Sequence, residues 1–552
     1  MTHSPSPQAT KKQHAVVIGA GIAGLSTAAL LAKDGFAVTI VEKNGEVGGR
    51  AGDYSDPHHP GFRWDTGPSW YLMPEAFDHF FELMGTSTAE QLELKPLDPG
   101  YRVFSGDQQP VDIPVGREAA IELFESIETG AGAQLREYLE SAQETYDIAI
   151  KRFLYTTFSA LGPILHPEVL SRAGKLLVLL SQSMQVFVNT RFKDTRLRQI
   201  LSYPAVFLSS SPDKTPALYH LMSHTDLIQG VQYPLGGFSA VVQAFHKIAV
   251  DNGVKIRLNT AVTSILTSTN SSTSPAAKTG AKTSAKTKAT HATGVAVVNE
   301  DGTAENIAAD FVVSGADLHH TENFLLPPSL RTYPEKYWEK RDPGIGAVLV
   351  LLGVEGKLPQ LEHHNLIFSE HWDEDFSVVF EGPRSDRPLN ASQSIYVCMT
   401  SATDPEVAPA GQENLFILVP TPPAADLGHG DCYGHQPSQA VQDIAAAAIV
   451  QVAQKVGIPD FEQRILVQKT IGPADFVERY NSWRAGAIGP AHTLNQSAFL
   501  RGQNTSKKVA GLYYAGSTTV PGVGVPMCLI SAENVIKRIH ADTSPGPLAG
   551  LG

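Results

Sequence analysis

Three glycines near the start of the chain, Gly19, Gly21 and Gly24, follow the spacing G-x-G-x-x-G. That spacing suits a phosphate pair. The glycines let the backbone turn tightly and approach the ligand, and the helix that follows offers free amide hydrogens and the positive end of its dipole to an anion. The surroundings make the motif specific. Apolar Val16, Val17 and Ile18 precede it, and Glu42 ends the next apolar run, where a carboxylate accepts hydrogen bonds from ribose hydroxyls and disfavours a ribose 2′-phosphate. The segment therefore predicts a bound dinucleotide. Farther on, Gly48 and Gly49 precede Arg50, a second close backbone approach joined to a cation.

Other residue types that do chemistry are present without a pattern that assigns them. Asp65, Glu381, Asp475 and Arg479 are read as solvated or structural, and none is taken as catalytic. Adjacent histidines occur at 58–59, 319–320 and 363–364, but neighbours in sequence point apart on a strand or helix and no E-x-x-H or C-x-x-C partner accompanies them. No metal site is expected. The three cysteines, Cys398, Cys432 and Cys528, lie outside any redox or zinc spacing, which suits a reducing cytoplasm. No G-x-S-x-G elbow anchors hydrolase chemistry.

The elements that must position these residues can be read from apolar periodicity. Residues 14–42 run as strand, glycine turn, small-residue helix and strand, and residues 13–75 are assigned to the first part of a nucleotide-binding domain. Residues 76–227 change to long stretches with helical spacing. Residues 228–335 return to helix and strand as a second part, interrupted at 267–292 by a Ser, Thr, Ala and Lys-rich stretch read as a mobile surface loop. Residues 336–475 alternate apolar runs with turns, as a sheet would, and 476–540 form a third part ending in strand, glycine-rich turn and helix. Residues 1–12 and 541–552 read as tails. With 42% hydrophobic and 18% charged residues the chain has the composition of a folded protein, and a net charge of −13 makes nucleic acid an unlikely partner. No run reaches the 18 or so consecutive apolar residues that span a bilayer. The segment 172–187, with its LLVLL run and the following Arg191, Lys193, Arg196 and Arg198, fits an interfacial patch or a buried helix with a charged end about equally.

Several segments together resemble one family. EKNGEVGGRAG after the second strand looks like the two-part FAD motif of amine oxidases and carotenoid desaturases, and Asp65-Thr66-Gly67-Pro68-Ser69-Trp70 resembles the segment that runs beside the flavin ring in those proteins. YPLGG at 233–237 followed by NTAVTSI also matches, with Val262 at the position that offers backbone contacts to adenine. The most specific match is GLYYAGSTTVPGVGVPMCLISAENVIKRI, which resembles the closing signature of bacterial and fungal phytoene desaturases and includes Gly516, Ser517, Pro521, Gly522, Gly524, Val525 and Pro526. The resemblance covers nearly the whole chain, is weakest over 74–227 and is absent over 267–292.

The resemblance implies an α/β fold: a Rossmann-like FAD-binding domain of the flavin amine oxidase-like superfamily, with an inserted α+β substrate domain and a helical membrane-associating region. It implies FAD held by Gly19, Gly21, Gly24, Glu42, Gly48, Gly49, Arg50, Gly67, Pro68, Val262, Gly516 and Val525. It further implies an apolar, phytoene-like polyene as substrate, converted to lycopene, with a quinone or dioxygen as electron acceptor. The expected location is the cytoplasmic face of a membrane, peripherally bound. Alternatives are a carotenoid isomerase, a ketolase, a desaturase of a later or shorter carotenoid, a flavin amine oxidase, and a prenyl-binding escort protein without redox work.

Overall fold

The computed structural model describes residues 12–159, 165–269, 289–382 and 389–551. A five-stranded parallel sheet runs in the order Leu512–Tyr514, Phe311–Ser314, His14–Ile18, Ala37–Val41 and Lys255–Arg257. Its central strands are largely apolar, interrupted within their length only by Thr39, because both faces are covered. Alternate residues feed two cores. Ala15, Val17, Val38, Ile40 and Val313 pack on the helices Ile22–Lys33, Gly237–Asp251 and Val525–Ile539. Val16, Ile18, Val41 and Val312 face a second, antiparallel sheet of Ala261–Thr269, Thr290–Val298 and Ala304–Ala308. The low-complexity stretch joins the first two of these strands, and residues 270–288 of it lie outside the described residues.

A seven-stranded sheet makes the other half of the molecule, in the order Ile465–Ile471, Gly346–Glu355, Gln412–Thr421, Ile395–Cys398, His364–Phe368, Tyr101–Ser105 and Val111–Ile113. Along Gly346–Glu355, Ala347, Leu349 and Leu351 face one core while Val348, Val350 and Leu352 face another beneath the helix Gln439–Val456. Two of its strands come from the block expected to be mostly helical. Tyr101–Ser105 is placed by parallel pairing with His364–Phe368, Val103 opposite Leu366, and such a long-range partner leaves no local periodicity. The rest of the block is largely helical, and it too differs in detail. The apolar stretch 172–187 breaks after Ala173–Ser181, and Ser183 caps a new helix, Met184–Asn189, by accepting from the Val186 amide.

Candidate functional site

The glycine motif sits between the first strand and helix. Gly19 holds φ +92°, which only glycine adopts without strain, and Gly21 caps Ile22–Lys33. Gly24 lies beneath this turn with no room for a side chain: a β-carbon there would be 1.9 Å from the Gly19 carbonyl oxygen. The Gly48-Gly49 turn packs directly on the motif. Gly48 N–H donates to Ala20 O (2.9 Å), and a β-carbon on Gly49 would approach the Gly21 α-carbon to 3.2 Å. Glu42, 7% exposed, accepts from Ala20 N–H (2.8 Å) and Asn44 N–H (2.9 Å), so its carboxylate is fixed at the end of the second strand.

These turns open onto a cavity of about 680 Å³. Every residue expected to hold the cofactor lines it except Gly24, which acts through packing alone. The contributions come from distant parts of the chain: Gly19 and Gly21, Glu42, Gly48 to Arg50, Gly67 and Pro68, Val262 at the start of the antiparallel sheet, Gly516, and Val525 at the N-terminus of the closing helix. Gly67 is fitted as tightly as Gly24, since a β-carbon on it would lie 1.9 Å from Arg50 O.

Cations crowd the glycine end. Arg50 donates from Nη2 to Ser482 Oγ (3.2 Å) and lies over the Tyr480 ring, while its buried Nε has no partner among the described residues. Burial pushes the Asp317 carboxyl up, against the pull of the Arg50 guanidinium. Lys43 and Arg479 also line this end, and burial holds the Lys43 ammonium below its ordinary value. An unpaired guanidinium nitrogen, two helix N-termini and a backbone stripped of β-carbons suit a pyrophosphate. The residues present fit a dinucleotide cofactor.

The opposite end is apolar. Phe207, Leu221 and Met222 line it together with Leu349, Phe416 and Leu418 of the seven-stranded sheet. Trp70 lines it too, stacked on His364 at 4.6 Å between ring centroids. Polar groups lie in and behind this wall, and the sequence assigned none of them a role in it. Tyr396 Oη bonds both Ser69 Oγ and His364 Nδ1 at 2.7 Å. His492 Nε2 accepts from Val523 N–H (3.1 Å), so its Nδ1–H donates to Tyr219 Oη (2.9 Å), which in turn donates to Ser497 Oγ. Burial holds this imidazole well below its usual value, and the ring is locked against the closing turn. Behind Trp70, Asp226 Oδ2 accepts from Tyr101 and Tyr203 at 3.0 and 3.1 Å, and burial pushes its carboxyl up to about 7. Only long-range folding unites these groups.

The carboxylates set aside as structural are found in such roles. Asp65 does not line the cavity; it accepts from Phe238 N–H (3.2 Å) at the start of Gly237–Asp251, and burial pushes it up to about 7. Asp475 clamps Gly430 and Gly472 amides, and Glu381 accepts from Ser377 Oγ away from the cavity. The histidines at 363–364 do not point apart: their rings meet edge to face at 4.5 Å, because His363 precedes the strand and escapes its alternation.

Outside the apolar end, Leu177 and Val178 are 68% and 55% exposed, beside Leu170, Leu180 and Val186. This helix packs on Ala217–Leu221, whose Tyr219 and Leu221 line the cavity. A second exposed group, Leu494, Phe499 and Leu500, flanks Ser497, the partner of Tyr219. Among the described residues no helix is long and apolar enough to cross a membrane.

Comparison with known proteins agrees with this geometry. The family model described as flavin-containing amine oxidoreductase matches residues 22–540. A protein of Haloarcula japonica named carotenoid 3,4-desaturase is 37% identical, over 95% of this chain and 98% of its own length. A Fusarium fujikuroi phytoene desaturase is 30% identical, over 96% of this chain and 90% of its own. Among solved structures, an oxidoreductase from Methanosarcina mazei superposes with a TM-score of 0.58 at 15% identity, covering 95% of this chain and all of that one.

Proposed function

The chain belongs to the flavin-containing amine oxidoreductase family and, within it, to the carotenoid desaturases, and on that premise we propose that it takes phytoene to lycopene. It is an FAD-dependent oxidoreductase. The observation that carries the finer reading is the single cavity that joins the glycine cradle to an apolar chamber. A hydrocarbon polyene offers no polar handle, so its binding rests on buried area and on the shape of that chamber.

Gly19, Gly21, Glu42, Gly48, Gly49 and Arg50 would hold the pyrophosphate and ribose of FAD, with Gly24 shaping the turn from behind. Val262 would meet the adenine, and Gly67, Pro68, Gly516 and Val525 the ring. When bound, FAD supplies the hydride acceptor that no side chain can provide. The chain's own residues align the reacting carbon and exclude water: Leu349, Phe416 and Leu418 form one wall, Phe207, Leu221 and Met222 the other. His492, kept neutral by burial, fixes the closing turn through its bond from Val523 N–H.

The exposed Leu177, Val178, Phe499 and Leu500 lie on segments flanking Tyr219, and we read them as the surface that rests on the cytoplasmic face of a membrane and admits the polyene. A quinone or dioxygen would serve as the electron acceptor. Expression in a phytoene-accumulating host, followed by extraction and chromatography of the pigments, tests the assignment. Lycopene formed as phytoene disappears supports it; unchanged phytoene beside a folded, FAD-loaded enzyme overturns it.

A second reading is desaturation of a later carotenoid. It is favoured by the Ser69, Tyr396 and His364 hydrogen-bond chain in the cavity wall, which a pure hydrocarbon does not need, and by the likeness to the Haloarcula carotenoid 3,4-desaturase. Supplying lycopene in place of phytoene separates the two readings.

A further inference from the structure

Outside the cavity, the loop between Ala425–Leu427 and Gln439–Val456 carries His429, Cys432 and His435 at H-x-x-C-x-x-H spacing. The loop is rigidly held. Cys432 N–H donates to Thr470 O (3.1 Å), Thr470 N–H donates to Asp431 Oδ1 (2.7 Å), and a β-carbon on Gly430 would lie 2.1 Å from Thr470 O. Cys432 packs against the core, burial pushes its thiol up, and its sulfur is not among the ligand atoms that cluster around the two histidines.

The two imidazoles stack at 4.0 Å between centroids, 27° apart, and converge on the helix Pro473–Tyr480. His435 Nε2 lies 3.1 Å and His429 Nε2 3.8 Å from Glu478 Oε2. From behind, buried Asp475 takes the Nδ1–H of His429 at 2.7 Å, which fixes that ring's tautomer and leaves Nε2 as a lone pair. A lone pair aimed at a carboxylate oxygen is two acceptors face to face. A cation between them removes that conflict.

We propose that His429, His435 and Glu478 bind one borderline divalent transition-metal ion of the Zn²⁺ kind, with Asp475 orienting His429. Tetrahedral coordination with bonds of about 2.0–2.2 Å sets neighbouring ligand atoms roughly 3.3–3.5 Å apart, between the two separations found here. The carboxylate behind an imidazole ligand is the arrangement that orients and strengthens such ligands. Nearby cations are already engaged: Lys469 with Asp431, Arg479 with Glu46, and Lys43 with the Glu478 carbonyl. Both histidines are about one-third exposed, so the ion has a path in, and water completes its coordination. Bound there, it ties the loop to the outer side of a helix whose Phe476, Arg479 and Tyr480 line the cofactor cavity.

The test uses FAD-loaded enzyme stripped with a chelator and titrated with Zn²⁺ against a chromophoric competitor. One ion per chain and a rise in melting temperature are expected. His435→Ala and Glu478→Gln should each weaken binding by about tenfold or more, since loss of even an outer-shell partner costs that much, and His435→Cys should restore much of it. Flavin absorbance shows that each variant is folded. Failure of the wild-type enzyme to bind one ion per chain overturns the site, and so does a His435→Ala variant that binds as tightly as wild type. Equal weakening by His371→Ala, a histidine at the start of Trp372–Glu381, overturns it as well.

Discussion

The α-carbon of Gly24 lies so close under Gly19 that a β-carbon there would sit 1.9 Å from the Gly19 carbonyl oxygen. Gly24 touches no part of the cavity, yet any side chain at this position must push the phosphate-facing turn out of place. Backbone overlap of this kind costs at least ~1–3 kcal/mol. Gly24→Ala should therefore lower flavin affinity by about tenfold or more. The flavin absorbance of purified protein, with circular dichroism as the check on folding, measures this; a variant with full flavin content would remove the role given to the turn.

Met222 lines the apolar end, opposite the seven-stranded sheet. Met222→Trp adds bulk there without touching the glycine cradle. The variant should keep its FAD and lose roughly an order of magnitude in desaturation rate, since misplacement of about 1 Å is enough for larger losses. Loss of flavin along with activity would mean that the two ends of the cavity do not act separately.

Asp226 gives a pH signature. Its ordinary value is near 3.8 and burial raises it to about 7 in the folded protein, against the opposing Tyr101 and Tyr203 hydroxyls. The folded state therefore binds the extra proton between those two values, and the stability it brings is lost as pH rises through about 7. Asp226→Asn never ionises. Relative to wild type it should gain at most roughly 1.4 kcal/mol per pH unit between about pH 4 and 7, with no further change above. Urea unfolding of both proteins across this range measures the difference, and parallel curves would rule the titration out.

Leu177 and Val178 are exposed on a helix that packs beside the cavity lining. Burying such a side chain is worth about 1.5–3 kcal/mol when complete. Replacing both with Glu should reduce co-sedimentation with lipid vesicles by about tenfold or more, while activity on detergent-dispersed substrate stays near wild type. Unchanged sedimentation would place the membrane-facing surface elsewhere.

What the sequence made legible follows distance along the chain. The cradle could be read because Gly19 to Arg50 is one local run in which spacing and flanking apolar residues constrain each other. Tyr101–Ser105 could not, since its strand character comes from pairing with His364–Phe368. Nor could the Asp226 cluster, assembled from positions 101, 203 and 226, or the His492 lock, which needs Tyr219 from another element. The cluster of His429, His435 and Glu478 was not read from the sequence, because Glu478 joins the two histidines only through the fold.

The parallel sheet under the cofactor cradle takes its strands from residues 14–18, 37–41, 255–257, 311–314 and 512–514. During biosynthesis the phosphate-binding turn emerges from the ribosome almost at once, but its neighbouring strand and the closing helix are translated hundreds of residues later. The nascent chain must therefore carry apolar strands 14–18 and 37–41 unsheltered through most of translation, a long interval of exposure to aggregation and chaperone capture. Cofactor loading becomes a late, nearly post-translational event, so flavin supply at that moment sets how much of the protein escapes into its finished form.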